Sequence, residues 1–182
     1  RFPCYIFTIM GAKAGQNNNN KIIALIFCFG FILYANTLFN DFALDDKLAI
    51  TDNEFTKSGF AGIPDILKTD YFTGFYGKKT GYVTGGRYRP LSLVMFAVEY
   101  ELFGENPLIN HLINIVLYGI TAILLFLILV RCFPPAKNTK WFLSLPFITT
   151  ILFLAHPVHT EVIANIKSRD ELLCFLFAFT SL

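Results

Sequence analysis

Ile22–Phe39 reads IIALIFCFGFILYANTLF, 18 residues without one charge. A helix needs about 20 apolar residues to cross the hydrocarbon core of a bilayer, so this run just meets the length. It is longer than a usual signal core, and no small-residue cleavage site follows it. A retained first span is therefore expected over 22–39. Pro107–Cys132 gives a second, ending in the uninterrupted apolar stretch Ile120–Val130. Trp141–Ala155 gives a third, with Trp141 at the interface and Pro146 as a kink. Residues 172–182 begin a fourth. Composition agrees with this reading. Of 182 residues, 54% are apolar and 15% charged, where soluble domains carry about 25% charge. The expected fold class is an all-α membrane protein, a polytopic transmembrane helix bundle with a long external loop carrying short juxtamembrane helices. A net charge of +2 is too small for a polyanionic partner, and no nucleic acid is expected.

The chain begins at Arg1, not Met, and stops inside the last apolar run. It reads as the N-terminal piece of a larger membrane protein, and the piece alone is expected to be inactive. Cys4, Cys28, Cys132 and Cys174 show no C-x-x-C spacing, and no disulfide framework is expected.

Residues 1–21 form a lead-in whose polar tract Gln16–Asn20 is expected to be flexible. Arg1, Lys13 and Lys21 precede the first span without an acid. Arg131, Lys137 and Lys140 flank the short loop 133–140, again without one. Both regions read as cytoplasmic. The loop 40–106 and the segment 156–171 then share the opposite face, periplasmic or lumenal. Two acid-rich regions far apart in sequence are thus expected to build one site. The stretch 40–89 holds seven acids and seven bases with repeated glycines. Connections that long are functional or disordered. Its aromatics (Phe55, Phe60, Tyr71, Phe72, Phe75, Tyr76, Tyr82 and Tyr88) argue for packing. Residues 90–103 are too short and too charged to span, and an interfacial helix fits them.

Four phrases carry candidate chemistry. Asp45-Asp46 follow the first span as adjacent carboxylates suited to a general base or a metal. Successive side chains diverge, so one of the two is expected to face a substrate. A solvated acidic turn is the alternative. Arg87-Tyr88-Arg89-Pro90 offers guanidinium groups for bidentate phosphate binding, with snorkelling to lipid headgroups as the alternative. The second span opens with Asn110, His111, Asn114 and Tyr118. Asn110, Asn114 and Tyr118 recur at intervals of four on one face, which must turn to protein or water. Residues 156–161 read HPVHTE. The spacing of His156, His159 and Glu161 matches no familiar zinc pattern, and no metal site is assigned. Pro157 is expected to start a helix capped near His156, with Glu161, Asn165 and Arg169 on one face. The alternative for that trio is a structural ion-pair network between helices.

The order of these phrases resembles a family. An acid pair in a long external loop is followed by Tyr-Arg-Pro-Leu (88–91) before an interfacial helix. Then come the Asn/His-rich start of the second span, His-Pro-Val-His-Thr-Glu, and Ser-Arg-Asp-Glu-Leu-Leu (168–173). This is similar to the N-terminal region of the transmembrane and tetratricopeptide-repeat O-mannosyltransferases and their bacterial relatives, within the GT-C glycosyltransferases. The likeness runs from about Asn36 to Leu173. Where that family often has an aromatic before the acid pair, this chain has Ala43 and Leu44.

The resemblance implies a multi-pass enzyme of the bacterial inner membrane or endoplasmic reticulum. It implies a polyprenyl- or dolichyl-phosphate sugar as donor substrate, with mannose the sugar that follows from the resemblance, no certain cofactor and divalent-metal dependence open. Its partners would be the lipid-linked sugar, a protein acceptor and membrane lipid. It implies a catalytic base at Asp45 or Asp46, with Glu161 assisting or orienting the acceptor. Arg87, Arg89 or Arg169 would meet the donor phosphate. His156, His159, Asn110, His111, Asn114 and Asn165 would be supporting polar groups. A non-enzymatic membrane scaffold is the competing expectation, and a transporter fits less well because the polar residues gather at one face.

Overall fold

The computed structural model describes residues 13–77, 87–136 and 139–182, with side chains from Asn20 onward. Arg1, Cys4, the Gly/Lys-rich turn around Tyr82, and Lys137 lie outside these residues. Among the described residues every regular element is helical. In chain order these are α1 (Lys13–Tyr34), α2 (Glu54–Lys57), α3 (Ile63–Ile66), α4 (Thr73–Tyr76), α5 (Pro90–Phe103), α6 (Pro107–Cys132), α7 (Leu145–Ala155), α8 (His159–Ala164) and α9 (Arg169–Thr180). Short 3₁₀ turns join several of them.

Two helical stretches, Asn20–Phe39 and Pro107–Cys132, are long and apolar enough to cross a membrane. The polar tract Gln16–Asn20, expected as flexible, is helical backbone within α1. Once the apolar part has nucleated a helix, extending it backward costs little per residue. α1 and α6 meet closely at Gly119. A Cβ there would lie 2.7 Å from the Phe27 ring, so only glycine lets the ring seat. The third apolar run differs from expectation. A 3₁₀ turn takes Trp141–Leu143, and α7 keeps 11 residues. That is roughly 16 Å of helix, about half a hydrocarbon core. Pro146 lies in the first turn of α7, where its missing N–H costs nothing, so it starts the helix without kinking it.

The interior has two parts. The bundle core joins Ile22, Ile26 and Tyr34 of α1 to Ile115, Tyr118, Ala122 and Phe126 of α6, with Leu154, Ile163 and Leu172. Tyr118 sits edge-on to Tyr34, with ring centroids 5.5 Å apart, and donates its hydroxyl to the Phe153 carbonyl at 3.1 Å. The second core belongs to the segment between α1 and α6. Ala49, Ile50, Ile66 and Tyr71 pack on Leu93, Phe96 and Ala97 of α5, and Ile166 joins them from the far end of the chain.

Buried polar groups hold this loop. Asn53 caps α2, its Oδ1 accepting from the N–H groups of Phe55 and Thr56 at 3.1 and 3.2 Å. Its Nδ2 donates to the Leu48 carbonyl at 3.0 Å. Gly59 takes φ +57°, and the Glu101 carboxylate occupies the space a Cβ would need.

Between α8 and α9 the chain does not continue as one helix. Asn165 is extended, at φ −97° and ψ 111°, and a 3₁₀ turn covers Ile166–Ser168. The break has a packing cause. Ile163 and Leu172 belong to the bundle core and Ile166 to the loop core, so one straight helix does not serve both.

Candidate functional site

The acid pair divides as alternation of side chains requires. Asp46 is fully buried. Its Oδ2 accepts the Ala43 N–H at 2.7 Å, and its Oδ1 accepts the Lys167 N–H at 2.8 Å. Burial pushes its carboxyl above the usual value, and those two N–H groups pull it part of the way back. Asp45 points outward with its side chain 51% exposed, and its Oδ2 lies 2.5 Å from the Lys167 ammonium. The two carboxylates therefore grip one residue, Asp46 by its backbone and Asp45 by its side chain.

Two residues on, Arg169 is wholly buried at the junction of the two cores. Its Nε donates to Asn114 Oδ1 at 2.8 Å and its Nη2 to the Asn110 carbonyl at 3.0 Å. Its Nη1 pairs with Glu99 Oε1. The second Glu99 oxygen accepts from Asn110 Nδ2 at 2.8 Å. The Phe96 ring centroid lies 4.4 Å from the guanidinium carbon. This cluster welds α5, α6 and α9 together and fixes the 166–168 turn that carries Lys167. It is the ion-pair alternative raised for Arg169. The Glu161 and Asn165 side chains stand apart from it, because the break at Asn165 removes the shared helical face; Asn165 meets it only through its carbonyl, which accepts from Asn114 Nδ2 at 3.5 Å. Glu161 is exposed, and the Asn165 Oδ1 is buried without a hydrogen-bond partner among the described residues.

The remaining candidates fall into three places. Arg89 pairs with Asp170 at the mouth of a cavity of about 410 Å³. Ser92 and Glu171 line it on the polar side, and Leu91, Leu173 and Phe177 on the apolar side. Arg87 is exposed, with its guanidinium carbon 5.9 Å from the Phe72 ring centroid. Its backbone pairs with Asp70 and with the Tyr71 N–H. His156 and His159 lie beside each other, ring centroids 6.0 Å apart. The His156 Nδ1 accepts the Val158 N–H, so α8 begins at His159 and Pro157 occupies the preceding turn instead of the first helical position. His159 packs on Phe153 and Tyr118. Burial, and then His156, lowers its pKa from the usual value. Asn110, His111, Asn114 and Tyr118 all face inward. Among the described residues no group of three or more His, Cys, Asp and Glu side chains is placed to hold a metal.

Two residues were not read from the sequence as site residues. Lys167 is one. The available signal was the surplus of acids at 41–46 on a face that also carries 156–171. Tyr71 is the other. Its buried hydroxyl has no hydrogen-bond partner among the described residues. Burial first, and then the Asp170 carboxylate, pushes its phenol up from the usual value.

No family model matches the chain, and no solved structure matches it. Curated proteins do. A protein O-mannosyl-transferase of Caenorhabditis elegans is 27% identical over 171 residues, covering 93% of this chain and 24% of that protein. Protein O-mannosyl-transferase TMTC3 of Homo sapiens is 33% identical over 169 residues, covering 91% of this chain and 17% of its own length. Protein O-mannosyl-transferase TMTC4 of Mus musculus is 32% identical over 158 residues, covering 82% and 21%. The chain thus spans between 17% and 24% of the length of these three relatives. Over most of its own length the chain is similar to the protein O-mannosyl-transferases, the family its acid-pair, Tyr-Arg-Pro-Leu and His-Pro-Val-His-Thr-Glu phrases resemble.

Proposed function

We propose that the protein is a multi-pass membrane glycosyltransferase. It moves mannose from a polyprenyl- or dolichyl-phosphate donor to a Ser or Thr hydroxyl of a protein acceptor, on the face that carries 40–106 and 156–171. The observation that carries the reading is the division of the acid pair in a chain so similar to O-mannosyl-transferases. Asp46 is committed to two backbone N–H groups, and Asp45 is left as the accessible carboxylate.

The reaction is an inverting displacement. Asp45 takes the proton of the acceptor hydroxyl as that oxygen attacks the anomeric carbon. The new C–O bond forms while the bond from that carbon to the phosphate oxygen breaks. The electron pair leaves with the polyprenyl phosphate. The cavity beside Arg89 supports the donor side of this reading. Its apolar wall of Leu91, Leu173 and Phe177 suits the start of a prenyl chain. Arg169 has no such role here, because it is buried and bonded to Glu99, Asn110 and Asn114.

The test is transfer from labelled dolichyl-phosphate mannose to a Ser/Thr-containing protein by the full-length protein in liposomes. Asp45→Asn is expected to abolish transfer while the protein stays folded. Folded Asp45→Asn protein with wild-type turnover refutes the base role. The pairing of Arg89, Lys167 and Arg169 with acids favours a second reading, a membrane scaffold whose charges only hold it together. Wild type that transfers no sugar from any lipid-linked donor supports that one.

A further inference from the structure

An ammonium group 2.5 Å from Asp45 Oδ2 occupies one of the two oxygens that could take a proton from a hydroxyl. Opening the Asp45–Lys167 pair leaves both oxygens to the acceptor. Its parts are built for opening. The Lys167 backbone is pinned by Asp46 at 2.8 Å, and the turn around it is fixed through Arg169. The head sits on a flexible four-carbon stem, is 27% exposed, and meets a carboxylate that is itself 51% exposed. Partly exposed pairs of this kind hold weakly.

Two neighbouring cations are less available than Lys167, while Lys47 and Arg87 are exposed. Arg169 is buried within its cluster and Arg89 is tied to Asp170. A phosphodiester donor carries one negative charge, and the released polyprenyl phosphate carries up to two. A cation that moves onto the phosphate oxygens therefore gains most as the glycosidic bond breaks, where added attraction speeds the reaction.

We propose that Lys167 is a phosphate-contacting cation of the site, and that binding of the donor phosphate draws it from Asp45 and so frees both oxygens of the base. The inference rests on the transferase reading above. No covalent bond changes in the exchange. The ammonium keeps its three protons and moves one N–H from the Asp45 carboxylate to a phosphate oxygen.

The experiment uses full-length protein in liposomes with two readouts. These are transfer from dolichyl-phosphate mannose, and direct binding of dolichyl phosphate without acceptor. Lys167→Met keeps the backbone N–H that Asp46 holds. It is expected to lower kcat/KM for the donor about tenfold or more and to weaken dolichyl phosphate binding to a similar degree. Lys167→Arg is expected to recover much of both, because it restores the charge. Asp45→Asn is expected to abolish transfer yet tighten dolichyl phosphate binding, because it releases Lys167. A purely structural Lys167 moves neither binding readout in these directions. Wild type that transfers mannose, with Lys167→Met matching it in transfer and binding, overturns the exchange and leaves the transferase reading standing. Wild type that binds dolichyl phosphate through Lys167 but transfers nothing supports the contact and overturns the transferase reading. Wild type that does neither overturns both.

Discussion

Replacing Arg169 with Met removes a guanidinium that no water reaches. Glu99 Oε1, Asn114 Oδ1 and the Asn110 carbonyl each lose a donor, and Phe96 loses its cation. Removing one partner of a buried ion pair costs about 3–5 kcal/mol, because the other charge stays buried and uncompensated. Arg169→Met is expected to fall in that range. Glu99→Leu should cost a comparable amount, since it strands the Arg169 charge instead. The combined variant buries neither charge, so its loss should be about 2 kcal/mol or more below the sum of the single losses. Chemical unfolding of the full-length protein in detergent micelles, run as a double-mutant cycle, measures each term. Additive single effects, or a loss below about 1 kcal/mol for Arg169→Met, would refute the cluster as the weld between α5, α6 and α9.

Other substitutions probe neighbouring features. Asp46→Asn puts an amide N–H against one of two backbone N–H donors and should destabilise the fold by about 1–3 kcal/mol; it should lose activity through folding, which a thermal melt separates from the direct effect of Asp45→Asn. Gly59→Ala forces a Cβ onto a left-handed backbone, at about 1–2 kcal/mol before any displacement of Glu101, and the melting temperature should fall accordingly. His159 holds its proton less tightly when folded than when unfolded. The stability of its neutral form is therefore full above about pH 6.5 and lost as pH falls below it. Melting temperatures measured from about pH 8 to 5 should show this decline, and His159→Phe should flatten it.

The long apolar runs were legible because an uncharged stretch of 18 or more residues has few other uses. The turn to protein of Asn110, Asn114 and Tyr118 was legible from their interval of four. α7 was not, because composition does not reveal that Trp141–Leu143 peel away as a separate turn. The break at Asn165 was hidden for a different reason. Spacing by fours at Glu161, Asn165 and Arg169 is what one helix would show, and only the competing pulls on Ile163, Ile166 and Leu172 undo it. Adjacent acids pointing opposite ways followed from chain geometry, but which one faced outward depended on Lys167, a partner 122 residues away.

That separation also sets a clock. A ribosome adding about 5–20 residues per second needs roughly 6–24 s to make the chain between the acid pair and its partner. During that interval Asp46 has only the local Ala43 N–H to hold it. The two carboxylates cannot take their final, opposite orientations until the 166–169 turn emerges and docks. The contacts of Asp45 and Asp46 with Lys167 therefore form together in one late step.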